Sequence, residues 1–130
     1  MRNTIKKHKD FEMTATDPSA RSAFFIVRAK SAHIPNDPRV GFVATKHTFR
    51  FATDRNRAKR LMRDWVLFCE HLMLSEFDYV FIARGSILSA DRESGRDAMA
   101  RALTHIMRKY GPKKKTQKKR KNKKIITNVA

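Results

Sequence analysis

Cysteine is nearly absent from this 130-residue chain: Cys69 is the only one. A single thiol excludes an intramolecular disulfide framework and any thiolate cluster within one chain. The five histidines (His8, His33, His47, His71 and His105) are scattered, without the close pairing expected of a zinc site. No apolar run reaches spanning length, and no signal peptide or lipidation motif is visible. The expectation is a soluble, cytoplasmic protein. Acids are scarce too, with 12 Asp and Glu against 30 Lys and Arg. Asp10, Glu12, Asp64, Glu70, Glu76, Asp78, Asp91, Glu93 and Asp97 mostly stand at helix starts or among bases, which fits capping and ion pairing better than catalysis. A hydrolytic protein needs a general base and a metal or proton donor held together. No such constellation is visible, so no catalytic side chain and no protein-bound metal or other cofactor are expected.

What remains is charge of one sign. The net charge is +18, and the stretch from Gly111 onward carries nine Lys or Arg and no acid. The first 110 residues hold the other 21 bases against all 12 acids. Both parts are basic, and a polyphosphate is the simplest partner. An anionic membrane surface would call for a basic amphipathic helix with bulky apolar residues or a lipid signal. The length suits one domain with a modest core, residues 1–112, and a lysine-rich tail, residues 113–130. Lys113 to Lys124 is almost devoid of apolar residues, so it is expected to be a disordered arm.

Along the chain, Ile5 to Thr14 reads as a short helix ended by Asp17-Pro18-Ser19. Phe24-Phe25-Ile26-Val27 opens a strand to about Lys30, and Val40 to Thr45 makes a second. Pro35-Asn36-Asp37-Pro38 is a loop signal between them, and the two strands are expected to pair antiparallel. Thr53 is the N-cap candidate of a long helix running to about Leu74, with Asp54 in its first turn. Tyr79-Val80-Phe81-Ile82-Ala83 is a continuous apolar run, consistent with a strand buried on both faces. A last helix starts at Ser89 or Asp91, presents Met99, Leu103, Ile106 and Tyr110 on one side, and stops at Gly111-Pro112. Gly95 weakens its first turns. The order helix-strand-strand-helix-strand-helix predicts an α+β fold, a small two-layer sandwich with helices on a sheet of at least three strands.

The chain is organised around Arg55-Asn56-Arg57-Ala58-Lys59-Arg60-Leu61-Met62-Arg63. At about 100° per residue, Arg55, Lys59, Arg63, Asn56 and Arg60 fall within an arc of roughly 140°. Ala58, Met62, Cys69, Trp65, Leu72, Leu61 and Phe68 fall on the opposite side, with Arg57 near the seam. Asp64 is the only acid between Arg55 and Cys69. One side of such a helix packs on a domain, and the other meets something anionic.

Several stretches resemble the protein subunit of bacterial ribonuclease P. They are the Arg55–Arg63 segment, Arg39-Val40-Gly41-Phe42-Val43 followed by Lys46, Phe77 to Arg84, and Ile5 to Phe11. The likeness runs over roughly residues 5 to 110, in the right order and spacing. It implies a protein that binds a large catalytic RNA and, with it, removes the 5′ leader of precursor tRNA. The RNA does the chemistry with magnesium ions, so Mg2+ is expected through the RNA. The resemblance also implies a left-handed β-α-β crossover, against the general preference for right-handed ones. It makes Arg55, Asn56, Arg57, Lys59, Arg60 and Arg63 contacts to the catalytic RNA. Lys46, His47 and Arg50 plausibly extend the patch.

The opening helix and the sheet are implied to form a cleft for the single-stranded leader. Phe11 matches a cleft aromatic able to stack on a base, and a core phenylalanine is the equal alternative. Ala15 and Val27 stand where relatives carry aromatics, so leader binding is expected to be more electrostatic, with Phe25 or Phe24 compensating. Lys113, Lys114, Lys115, Lys118, Lys119 and Arg120 are assigned to nonspecific RNA contact. Partners are then the catalytic RNA and precursor tRNA, with no obligate protein partner and no membrane. A ribosomal or RNA-chaperone protein would share the charge, the fold and the tail, and is the alternative.

Overall fold

The computed structural model describes residues 2–5, 18–34 and 37–111. The expected helix Ile5 to Thr14 and the expected tail, residues 113–130, lie almost wholly or wholly outside those residues. Among the described residues are five strands and two α-helices: β1 Asn3–Thr4, β2 Ser19–Arg21, β3 Phe25–Ser31, β4 Arg39–Val43, α1 Ala52–Cys69, β5 Phe77–Ala83 and α2 Arg92–Tyr110. The sheet order is β1-β4-β5-β3-β2. The fold is the α+β two-layer arrangement expected, and from β3 onward the elements follow the expected sequence. Sequence patterning missed β1 and β2, which are two and three residues long. Strands that short carry no readable period.

One expectation is overturned. β3 and β4 do not pair with each other; β5 lies between them, antiparallel to β3 and parallel to β4. The apolar run of β5 accounts for this, since a central position takes it out of water on both faces. β4, α1 and β5 thus form a β-α-β unit. The loop from β3 to β4 is pinned where it crosses the end of β5. There Asp78, with 0% exposure, accepts from the backbone N–H groups of Arg39 (2.6 Å) and His33 (3.2 Å). The Arg39 guanidinium lies 3.3 Å from the same carboxylate, which leaves this buried charge paired.

Alternation divides the sheet into two faces. Phe25, Val27, Ala29, Val40, Phe42, Tyr79, Phe81 and Ala83 are buried on the face that carries both helices. Their centre is an aromatic cluster: the Phe81 ring lies 5.9 Å from Phe25 and 5.7 Å from Phe42, and Phe25 reaches Trp65 at 6.3 Å. Trp65 of α1 also explains Gly95 of α2, because a Cβ at residue 95 would overlap the indole. The glycine that costs helix propensity is what lets the two helices approach.

Helix ends follow the local chemistry in part. Asp91 caps α2, its carboxylate accepting from the Ser94 N–H at 2.8 Å. Hydrogen bonding from the Ser94 side chain, and then from its N–H, favours the charged carboxylate and holds its pKa below the ordinary value. α1 departs from expectation at both ends. Phe51 occupies the N-cap without a side-chain cap, Thr53 falls inside the first turn, and the helix gives way at Glu70–Leu72 to a 3₁₀ turn. Asp54 does sit in the first turn, as expected.

Candidate RNA interface

α1 buries Ala58, Met62, Trp65, Val66 and Cys69. The buried stripe is therefore rotated from the sequence estimate: Val66 turns inward, Leu61 is half-buried, and Phe68 is 54% exposed. Packing of α2 beside α1 sets this rotation, since Trp65 must face Gly95. On the outward side Asn56, Arg57, Arg60 and Arg63 are exposed, while Arg55 and Lys59 are half-buried. No ion pair among the described residues involves Arg57, Lys59, Arg60 or Arg63. The Arg63 guanidinium lies 5.1 Å over the Phe42 ring, so it emerges beside β4 and still faces solvent.

Arg55 is different. Its guanidinium donates to the carbonyls of Phe49 (3.0 Å) and Arg50 (3.2 Å), tying the approach segment to the first turn of α1. Part of its donor capacity is spent on the fold. The approach itself is a turn, in which the Phe49 N–H donates to the Thr45 carbonyl at 2.9 Å and the Phe49 ring is buried. That turn leaves Lys46, His47 and Arg50 exposed next to the helix start. Sequence reading passed over Phe51, which is 60% exposed with the Arg50 guanidinium 5.6 Å over its ring. A phenylalanine where a polar N-cap is usual was the available signal.

The residues proposed for the leader divide differently. Phe25 and Val27 have 0% exposure and lie under the helices, so neither presents a surface to a nucleotide. This corrects their assignment: even-numbered β3 residues, not odd-numbered ones, reach the other face. Phe11 lies outside the described residues. On the sheet face away from the helices, alternation places Arg21, Ile26, Arg28, Lys30 and Ile82, with Ile26, Arg28, Lys30 and Ile82 half-buried and Arg21 exposed. Arg28 Nε is buried without a hydrogen-bond partner. The strip as a whole is mixed basic and apolar, a surface suited to a phosphate with neighbouring bases.

Lys113, Lys114, Lys115, Lys118, Lys119 and Arg120 lie outside the described residues. Among the described residues, no group of three or more His, Cys, Asp or Glu is placed to hold a metal ion. Nor, among them, is any helix long and apolar enough to cross a membrane.

Comparison with known proteins points the same way. The family model described as Ribonuclease P matches residues 1–107. A ribonuclease P protein component of Nitratiruptor sp. is 33% identical over 109 residues, covering 82% of this chain and 94% of that protein. That of Idiomarina loihiensis is 35% identical over 81 residues, covering 56% of this chain and 64% of the relative, just under two thirds of its length. In structure, the Staphylococcus aureus RNase P protein superposes with a TM-score of 0.65 at 22% identity, covering 81% of this chain and 95% of that one. The RNase P protein of Thermotoga maritima gives 0.59 at 23% identity, covering 70% and 84%. With the family model matching most of its length and the α+β fold shared, the chain belongs to the bacterial ribonuclease P protein family.

Proposed function

We propose that this chain binds the catalytic RNA of ribonuclease P through the outward face of α1 and the precursor-tRNA leader at the sheet face opposite the two helices. In doing so it promotes endonucleolytic removal of the leader, giving mature tRNA 5′ ends in the cytoplasm. The observation that carries this reading is the row Asn56, Arg57, Arg60 and Arg63, exposed on a rigid helix. Guanidinium forks match phosphate geometry, and structured RNA is read largely through backbone and shape. Lys46, His47 and Arg50 continue the row, and Phe51 adds an aromatic face. On the opposite side of the sheet, Arg28 and Arg21 offer donors to a single strand, with Ile26 and Ile82 as apolar neighbours.

Magnesium is assigned to the RNA, where it supplies the hydrolytic chemistry. The protein's part is to hold two RNAs in register and screen their mutual repulsion.

The test is cleavage of precursor tRNA by bacterial ribonuclease P RNA at low magnesium, with and without this protein. Protein-dependent cutting at the mature 5′ end, with none by the protein alone, is expected. Tight RNA binding without any effect on cleavage would overturn the reading and favour a ribosomal or chaperone role. Cutting by repurified protein alone would overturn the assignment of the chemistry to RNA.

A further inference from the structure

Edge strand β2 and helix α2 are separated by a groove of about 530 Å³, whose walls include Arg21, Ser22 and Phe24 on one side and Asp97, Arg101 and His105 on the other. Arg101 and His105 also line an adjoining hollow of about 520 Å³ that continues along α2 to Arg108 and Lys109. From Ala98 to Gly111 the chain contains no acid, and Arg101, His105, Arg108 and Lys109 are all exposed. This is a second cationic track, carried on a different helix from the Arg55–Arg63 segment.

Three features say what lies in it. The first is charge. Asp97 is the one acid among the described residues that line the groove, and it pairs with Nε of Arg101 at 3.0 Å, the Arg101 and Asp97 side chains being 80% and 59% exposed. Such an exposed pair is worth little, and the outer nitrogens of Arg101 stay available. The second is continuity. Arg21 is paired across the ladder with Ile26, which places it on the sheet face opposite the helices, yet it also lines the groove. It is the residue common to the two surfaces. The third is shape. β2 is an edge strand of only three residues, so among the described residues little backbone separates the sheet face that carries Arg21 from α2.

We infer that the groove between β2 and α2 binds the 5′-distal nucleotides of the leader, which reach it past Arg21 from the sheet face opposite the helices. This rests on the leader reading above and extends it to a second segment of the same strand. Phosphates are held by Arg101 and Arg108, and the half-buried Phe24 gives the groove an apolar wall beside the bases.

The experiment is equilibrium binding and cleavage by the reconstituted holoenzyme, using precursors with short and long leaders and mature tRNA as reference. It compares the natural chain with Arg101→Gln/Arg108→Gln, and with Arg92→Gln as a control for loss of charge elsewhere on α2. The double variant should bind long-leader precursor several-fold more weakly, with a loss that grows with leader length. The salt dependence for the long leader should fall by about 0.7 in log–log slope for each phosphate contact removed. Circular dichroism establishes that the variant is folded. If the natural chain gains affinity with leader length and the double variant keeps the whole gain, the groove assignment is overturned while the leader reading stands. If the double variant weakens mature tRNA and every precursor equally, or if Arg92→Gln mimics it, the groove assignment is likewise overturned. If the natural chain shows no dependence on leader length at all, the leader reading itself fails and the inference falls with it.

Discussion

Asp78 is one residue on which three segments converge, since its carboxylate holds the start of β4, the preceding loop and the Arg39 guanidinium. Replacing it with alanine strands a buried cation and two backbone donors. Asp78→Ala should therefore cost about 3–5 kcal/mol in urea unfolding, and Asp78→Asn, which keeps an acceptor, distinctly less. Gly95 is a second such point. Alanine there gains about 1 kcal/mol of helix propensity, but its methyl collides with Trp65. Overpacking should win, and Gly95→Ala should lower stability by about 1–3 kcal/mol, seen as an earlier unfolding midpoint. Cys69 is quieter. Burial pushes its thiol pKa up, with Arg96 opposing more weakly, so at neutral pH the thiol stays protonated and inaccessible. A thiol-reactive probe should label it only after denaturant is added, and rapid labelling of the native chain would contradict its placement in the core.

At the scale of elements, α1 separates two roles that look alike in sequence. Arg57 and Arg60 are exposed and unpaired among the described residues, whereas Arg55 holds two backbone carbonyls ahead of the helix. Arg57→Ala/Arg60→Ala should weaken assembly with the catalytic RNA and flatten its salt dependence, while leaving thermal unfolding within about 0.5 kcal/mol of the natural chain. Arg55→Ala should affect both. Measuring unfolding and RNA affinity on the same samples separates the two roles, and equal stability for both variants would contradict the structural role of Arg55. β1 tells a related story at the other edge. Two residues cannot hold a strand in place alone, and Arg2 supplies the anchor. Its guanidinium donates to the carbonyls of Phe77 (2.6 Å) and Leu74 (2.5 Å) and lies 5.2 Å from the Tyr79 ring centroid. Arg2→Ala should speed amide exchange at Ile5, whose N–H donates to Val40, without speeding exchange in β5.

Across the whole molecule, the net charge of +18 acts on stability as well as on binding. Self-repulsion opposes the compact state and is relieved by counterions. The midpoint of thermal unfolding should rise with added phosphate or sulfate, and more steeply than with chloride at equal ionic strength. Removing residues 113–130 takes away nine bases and should flatten the salt dependence of RNA binding by several phosphate contacts, with the Arg57 and Arg60 contribution intact. An unchanged slope would refute the role of the lysine-rich segment.

Local chemistry and periodicity were sufficient for the longer elements. The apolar run Tyr79 to Ala83 marked a central, largely buried strand, and Asp91 and Gly111 marked the ends of α2. The cationic segment from Arg55 to Arg63 marked a helix with one buried and one basic face, because charge density and amphipathic spacing are properties of a short window. Tertiary structure decided what depends on distant partners. It placed β5 between β3 and β4, although the loop signal had suggested a direct pairing. It turned α1 so that Trp65 meets Gly95, which put Val66 inside and Phe68 outside. It sent Phe25 and Val27 into the core, since which face of a strand is covered is settled by the helices that pack on it. By itself the sequence determined the charge, the two helices α1 and α2 and the family; only packing between segments far apart in the chain decided strand neighbours, helix rotation and which side chains are left exposed.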